Sequence, residues 1–226
     1  MPRVVYEEEP VFRDRTDAGR KLAERLTGFT GNQSVVYAIP RGGVPVAVEI
    51  AGKLGAPLDM VIPRKITVPD NPEAGFGAVT EDGTIVLNEA LVRQMELTEP
   101  VIQQQAETTR TDVVRRIAAF RAHLPETSVE GKTAIIIDDG LASGYTMVAA
   151  VKSMQKRKAA KIVVAVPVAS GSAYDLVKRI VDELVCLVVA RTYGFAVASF
   201  YHHWHDLTDD EVVKFLENWQ TAYTKE

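Results

Sequence analysis

The chain is expected to be an α/β protein built on a parallel sheet flanked by helices. Three observations predict this. Apolar runs of the kind that form fully buried strands alternate with helical stretches along most of the chain. The run Ile135-Ile136-Ile137 leads through Asp138-Asp139-Gly140-Leu141-Ala142-Ser143-Gly144-Tyr145-Thr146, a loop of small and polar residues, into a further helical stretch. The length of 226 residues suits one domain of this class with a sizeable core.

Asp14 to Leu26 reads as the first helix, with Leu22, Ala23 and Leu26 as its apolar stripe and Gly28 at its end. Val35 to Ile39 reads as a strand and Pro40-Arg41-Gly42-Gly43 as a turn. Val44 to Leu54 follows as a helix with Pro45 in its first turn. Leu58 to Ile62 is the next core strand. Arg64 to Gly77 shows no period and carries Pro69, Pro72, Gly75 and Gly77, so a long functional loop is expected there. Ala78 to Thr80 and Thr84 to Leu87 flank Glu81-Asp82-Gly83 as a small hairpin. Thr98 to Leu124 reads as a long helix, since Ile102, Ala106, Val113, Ile117, Phe120 and Leu124 recur at helical spacing. The rest reads as helix Met147–Lys156, strand Lys161–Val168, helix Ala173–Ile180 and strand Glu183–Val189. An aromatic segment, Tyr193–Trp204, and a closing helix, Thr208–Trp219, complete it, with Thr208 as the cap. Ligands of such sheets bind at the carboxyl ends of the strands.

Bulk properties exclude several classes. A net charge of −4 argues against a general nucleic-acid binder. No apolar stretch approaches the roughly 20 residues of a membrane helix. Met1 to Pro10 is acidic and lacks the apolar core of a signal peptide. Cys186 is the one cysteine and lies in an apolar run, which suggests a buried, inert thiol. A reducing, cytoplasmic setting is the expectation.

Asp138 to Thr146 carries the chemistry. Loop amides with the Ser143 and Thr146 hydroxyls suit a phosphate, and Gly144 lets the backbone approach closely. Asp138 and Asp139 supply acceptors for sugar hydroxyls or a foothold for a hydrated divalent cation. Together these suit a ribose phosphate; an ordinary strand-to-helix turn or an unrelated magnesium site is the alternative. Arg41 can fork onto a pair of diphosphate oxygens, or be a solvated arginine on a plain turn. Arg64 and Lys65 stand just past a strand end, as anion partners or as surface charge. Phe195, Phe200, Tyr201 and Trp204 can stack on a planar base or form a satellite core. His202, His203 and His205 with Asp206 form a weak metal pattern, better suited to adventitious binding than to a native zinc site. Gly131-Lys132-Thr133 copies the end of a Walker A loop, but Glu126 stands where its first glycine belongs and a strand follows it.

Asp138-Asp139-Gly140-Leu141-Ala142-Ser143-Gly144-Tyr145-Thr146 resembles the signature of the type I phosphoribosyltransferases, with Ser143 in place of the usual threonine and Tyr145 in place of a small residue. The resemblance extends over nearly the whole chain. It includes Phe12 to Arg20, Arg41 to Val46, Asn71 to Val79 and Phe195 to Tyr201, and is closest to a little-characterised group of bacterial and archaeal phosphoribosyltransferase-like proteins. It implies a Rossmann-like fold as a single domain over residues 1–226, with a C-terminal hood over about residues 191–207. It further implies a magnesium-dependent transferase that moves the 5-phosphoribosyl group from 5-phosphoribosyl 1-pyrophosphate (PRPP) to a nitrogenous base or amine and releases pyrophosphate.

By that likeness PRPP would be held by Arg41, Gly42 and Gly43 and by the segment from Asp138 through Gly140, Leu141, Ala142, Ser143, Gly144 and Tyr145 to Thr146. Asp138, Asp139, Lys65 and Arg41 would carry the reaction, and Mg2+ would sit at Asp138 and Asp139 through water. The loop through Glu73 to Gly77 resembles a closing lid, and Phe195 and Tyr201 would face the base from the hood. Ala142 stands where 6-oxopurine enzymes carry an acid, so the adenine and orotate enzymes are the nearer likeness there. A homodimer is expected by analogy alone. A PRPP- or nucleotide-binding sensor without turnover, or another enzyme using the same donor, remains as the alternative.

Overall fold

A computed structural model describes residues 1–69, 71–124 and 126–223, with residues 72–74 and 223 described by backbone alone. The chain opens with β1 (Arg3–Val5), α1 (Arg15–Ala23), β2 (Ser34–Ala38), α2 (Gly43–Leu54) and β3 (Leu58–Met60). It continues through β4 (Arg64–Val68), β5 (Asn71–Val79), β6 (Ile85–Leu87), α3 (Glu89–Gln94) and α4 (Glu99–Arg121). β7 (Thr133–Ile137), α5 (Tyr145–Lys156), β8 (Lys161–Ser170), α6 (Gly171–Lys178) and β9 (Glu183–Ala190) follow. A 3₁₀ turn (Val197–Phe200) and α7 (Asp209–Tyr223) close the fold.

Six strands form one parallel sheet in the order β1-β9-β8-β7-β2-β3. The central strands are apolar on both faces because both faces are covered. Val36, Ala38, Ile135, Ile137, Val163 and Ala165 point to one side and meet α1, α2, α7 and the end of α4. Val35, Tyr37, Ala134, Ile136, Val164 and Val166 point to the other and meet α5 and α6. From β2 the chain grows outward to β3, whereas from β7 it grows the opposite way through β8 to β9. The order therefore reverses between β2 and β7, which opens a crevice at their carboxyl ends.

Two segments differ most from the sequence expectation. Arg64 to Gly77 is not a loop: β4 and β5 pair antiparallel and, with β6, form a separate three-stranded sheet. Its prolines and glycines are accommodated by register shifts on either side of Thr67. One face of this flap buries Ile66, Val68, Phe76 and Val79 against Ile102 and Ala106 of α4, while Ala78 and Val86 meet Val148 and Ala149 of α5. Burying a side chain the size of Phe76 is worth about 2 to 3 kcal/mol, enough to hold short strands in place. The second difference is β1, which pairs with β9 at the sheet edge from within an acidic terminus. α1 also ends at Ala23 rather than Leu26, and α3 has no counterpart in the sequence expectation. No helix among the described residues is long and apolar enough to cross a membrane.

The flap is fastened at its turn. Gly83 adopts φ 77°, and Asp82 accepts from Thr80 Oγ1 at 2.6 Å and from the Thr84 N–H at 3.0 Å. From α5, Ser153 Oγ donates to Asp82 at 3.0 Å, Lys156 Nζ donates to the Asp82 carbonyl at 2.8 Å, and Arg157 pairs with Glu81. At the other end of this excursion, buried Asp59 of β3 accepts from Arg121 of α4 and, at 2.7 Å, from the Thr127 N–H.

Candidate active site

The crevice between β2 and β7 brings two distant segments into contact. A Cβ at Gly42 would lie 1.9 Å from Oδ2 of Asp139, and one at Gly43 would lie 2.6 Å from the Ile137 carbonyl oxygen. The turn after β2 thus rests directly on the acidic end of β7, and only glycine permits that approach. The Pro40–Arg41 peptide within this turn is cis.

The two acids have different surroundings. Asp139 Oδ2 accepts from Arg15 Nε at 2.8 Å, and both side chains are almost wholly buried. The Arg15 guanidinium lies 3.7 Å from the centre of the Trp204 ring, and its Nη1 donates to the His205 carbonyl at 2.9 Å. Asp14 caps α1, its carboxylate accepting from the Asp17 N–H at 2.7 Å, which sets Arg15 at the start of the helix. Asp138 accepts from the Asp139 N–H at 2.8 Å and has no ion pair among the described residues. Burial, and then the charge of Asp139, push the Asp138 carboxyl well above its ordinary range. Burial also raises Asp139, with Arg15 opposing it.

The loop beyond the acids is pinned to β8. The Leu141 N–H donates to the Val168 carbonyl at 2.9 Å, the Ser170 N–H to the Leu141 carbonyl at 2.8 Å, and Ser170 Oγ to the Ala142 carbonyl at 2.7 Å. Gly140 lies beneath Val197 of the 3₁₀ turn, and Gly144 turns into α5 at φ 84°. Among the described residues, the N–H groups of Ala142, Ser143 and Gly144 have no protein acceptor. With the first-turn amides of α5 they form a row of donors at a helix N-terminus. Tyr145 turns away and packs on the cluster of Ala78, Val86, Val148 and Ala149, so its bulk fills the seam beneath the flap. Beside the loop lies a cavity of about 610 Å3, lined by Ala142, Ser143, Ser172, Thr192 and Phe195 among others.

The remaining expected residues are dispersed. Arg41 leans toward Asp209 at the start of α7, at 3.8 Å, and Arg116 of α4 approaches the same carboxylate at 3.5 Å. Arg64 faces Asp112 of α4 at 3.8 Å. Lys65 is exposed on β4, its stem against Gly75, and the Glu73 side chain of the expected lid lies outside the described residues. Tyr201 does not face a base. It is 4% exposed, and its hydroxyl donates to the Asp139 carbonyl at 2.7 Å. A phenol buried this deeply needs a partner, and the acid loop supplies it. Phe200 is buried, Trp204 is spent on Arg15 and Tyr201, and Phe195 alone of these aromatics lines the cavity. His205 Nε2 lies 2.8 Å from Glu211, and among the described residues no three His, Cys, Asp or Glu side chains gather into a metal site. Sequence reasoning missed Arg15, although it lies in the Phe12–Arg20 segment that resembles the family.

The family model described as a phosphoribosyl transferase domain matches residues 13–200. Two relatives from Mycobacterium tuberculosis, provisionally named phosphoribosyl transferases, are each 41% identical over 207 residues, covering 92% of this chain and 46% of their own length. The chain therefore spans about half the length of these curated relatives. The crystal structure of TT1426 from Thermus thermophilus is 36% identical with a TM-score of 0.78, covering 92% of this chain and 99% of that one.

Proposed function

The chain belongs to the phosphoribosyl transferase domain family, and from that premise we propose that it transfers the 5-phosphoribosyl group of PRPP to a nitrogen nucleophile and releases pyrophosphate. One observation carries the reading. The Gly42-Gly43 backbone rests on Asp138-Asp139 at the point where strand order reverses, which supports a diphosphate turn set beside a sugar-binding acid pair.

In this reading the free amides from Ala142 onward, with Ser143 and Thr146, take the 5′-phosphate. The acidic end of β7, at Asp138-Asp139, takes the ribose hydroxyls. Arg41 leaves its loose contact with Asp209 to join Gly42 and Gly43 on the pyrophosphate. Lys65 meets the leaving group from the flap, and Phe195 flanks the acceptor in the adjoining cavity. The nitrogen lone pair forms the bond to C1 as the bond from C1 to the pyrophosphate oxygen breaks. Its electron pair departs with pyrophosphate, and the proton on nitrogen passes to solvent. The chain acts by holding both reactants and by placing positive charge where negative charge develops.

The acid pair fits a hydrated Mg2+. Asp139 is paired with the Arg15 guanidinium, whereas Asp138 is partly exposed and has no cation partner among the described residues. Asp138, beside Asp139, would hold the ion through water, and when bound it neutralises charge on the pyrophosphate.

The test is pyrophosphate release from PRPP and Mg2+ across purine bases, pyrimidine bases and small amines. Release that requires one acceptor, and falls at least about a hundredfold in Asp138→Asn, is the expected result. Donor binding without release on any acceptor would replace the enzyme with a sensor, and release without acceptor would make it a hydrolase.

A further inference from the structure

We propose that Arg15 is a positioning residue that divides the work of the acid pair. It fixes Asp139 as part of the crevice wall and leaves Asp138 as the carboxylate that meets the ribose and its cation. This rests on the transferase reading and deepens it.

Asp139 has little room for a ligand. Its Oδ2 receives Arg15 Nε at 2.8 Å, and the space before it is filled by the Gly42 backbone, where even a methyl carbon would stand 1.9 Å away. A ligand hydroxyl needs a heavy-atom approach of about 2.5 to 3.0 Å along a free lone pair. The Asp139 main chain is held too, since its carbonyl accepts from Tyr201 Oη at 2.7 Å. Asp138 differs: it accepts from the neighbouring N–H and meets the Asp139 carboxylate, but no guanidinium hydrogen-bonds to it among the described residues.

Arg15 is itself immobilised. The Trp204 face, the His205 carbonyl and the Asp139 carboxylate hold its planar group from three sides. Those contacts join the first turn of α1, the carboxyl end of β7 and the segment Tyr201–His205. Tyr201 and Trp204, expected to stack on an acceptor, instead meet each other at 5.1 Å with their rings tilted by 45° and brace this joint. The segment after the 3₁₀ turn therefore acts on the donor site from behind, through Arg15.

Removing one partner of a buried pair leaves the other charge uncompensated, whereas replacing both with neutral groups of similar shape does not. That asymmetry provides the test. PRPP affinity in the presence of Mg2+ is measured by calorimetry for wild type, Arg15→Gln, Asp139→Asn, Arg15→Gln/Asp139→Asn and Asp138→Asn, alongside melting temperature and the kcat and KM of pyrophosphate release. Arg15→Gln is expected to weaken PRPP binding at least about tenfold, and the paired variant to return to within about threefold of wild type. Asp138→Asn is expected to remain defective at an unchanged melting temperature. A paired variant no better than Arg15→Gln would make Asp139 a ligand in its own right and overturn the inference, as would a folded Arg15→Gln that binds like wild type. Failure of the wild-type chain to bind PRPP would overturn the transferase reading and the inference together.

Discussion

A methyl group added at Gly42 would collide with the Asp139 carboxylate at 1.9 Å. Gly42→Ala must therefore separate the two loops, and a loss of about 1 to 3 kcal/mol in stability is expected, with PRPP affinity falling at least about tenfold. Gly28 provides the control. Nothing lies within 4 Å of a Cβ there, so Gly28→Ala should stay within about 0.5 kcal/mol of wild type in the same thermal melts. Cys186 makes a second residue-level prediction. Burial pushes its thiol up to about 12, and its Sγ donates to the Val188 carbonyl at 3.1 Å. The folded protein should resist a disulfide-exchange reagent at pH 8 and react at once in denaturant; rapid native labelling would contradict that burial. At this scale the strand-to-helix loop from Asp138 to Thr146 was legible, because its small and polar residues are adjacent in sequence. Arg15 was not, because its partner lies 124 residues away and an isolated arginine early in a helix carries no mark of burial. Tyr201 was read for its ring, whereas its hydroxyl determines where it sits.

At the scale of elements, the flap depends on Asp82. Burial pushes its carboxyl up, but hydrogen bonds from Thr80, Thr84 and Ser153 outweigh this and bring it down to about 2. A carboxylate whose folded pKa lies below its unfolded value stabilises the fold above the unfolded pKa. That stability is lost as pH falls through the folded pKa. Allowing for solvent screening, wild type should exceed Asp82→Asn by about 1 kcal/mol in urea unfolding at pH 6, and the gap should close near pH 2. A gap independent of pH would assign the effect to packing. The long helix α4 and the strands β7 and β8 were legible from periodicity and from unbroken apolar runs. β4 and β5 were not, because Pro69, Pro72, Gly75 and Gly77 obscure an apolar face that rests on Ile66, Val68 and Phe76. β1 was hidden for another reason: three residues beside a run of glutamates leave no periodic signal, and only pairing with β9 makes them a strand.

At the scale of the whole molecule, stability should be uneven. β7 and β8 are paired on both sides and apolar on both faces, whereas the flap is three strands interrupted by irregular register. Native-state hydrogen exchange should show amides of β4 and β5 exchanging at least about tenfold faster than those of β7 and β8. Equal rates would mean that flap and sheet open together. The alternation of strands and helices announced the parallel sheet, but the reversal of order between β2 and β7 depends on which strands pair across long separations. No local pattern records that.

The Asp59 contacts carry one more consequence. The chain leaves the main sheet just after β3 and returns at Thr127, and a single buried carboxylate grips the returning end beside the point of departure. Everything between is a cassette spliced into a sheet whose β2 and β7 already pair without it. The strands that define the crevice therefore take their register from each other, and changes in the length or turns of the small sheet fall outside that pairing.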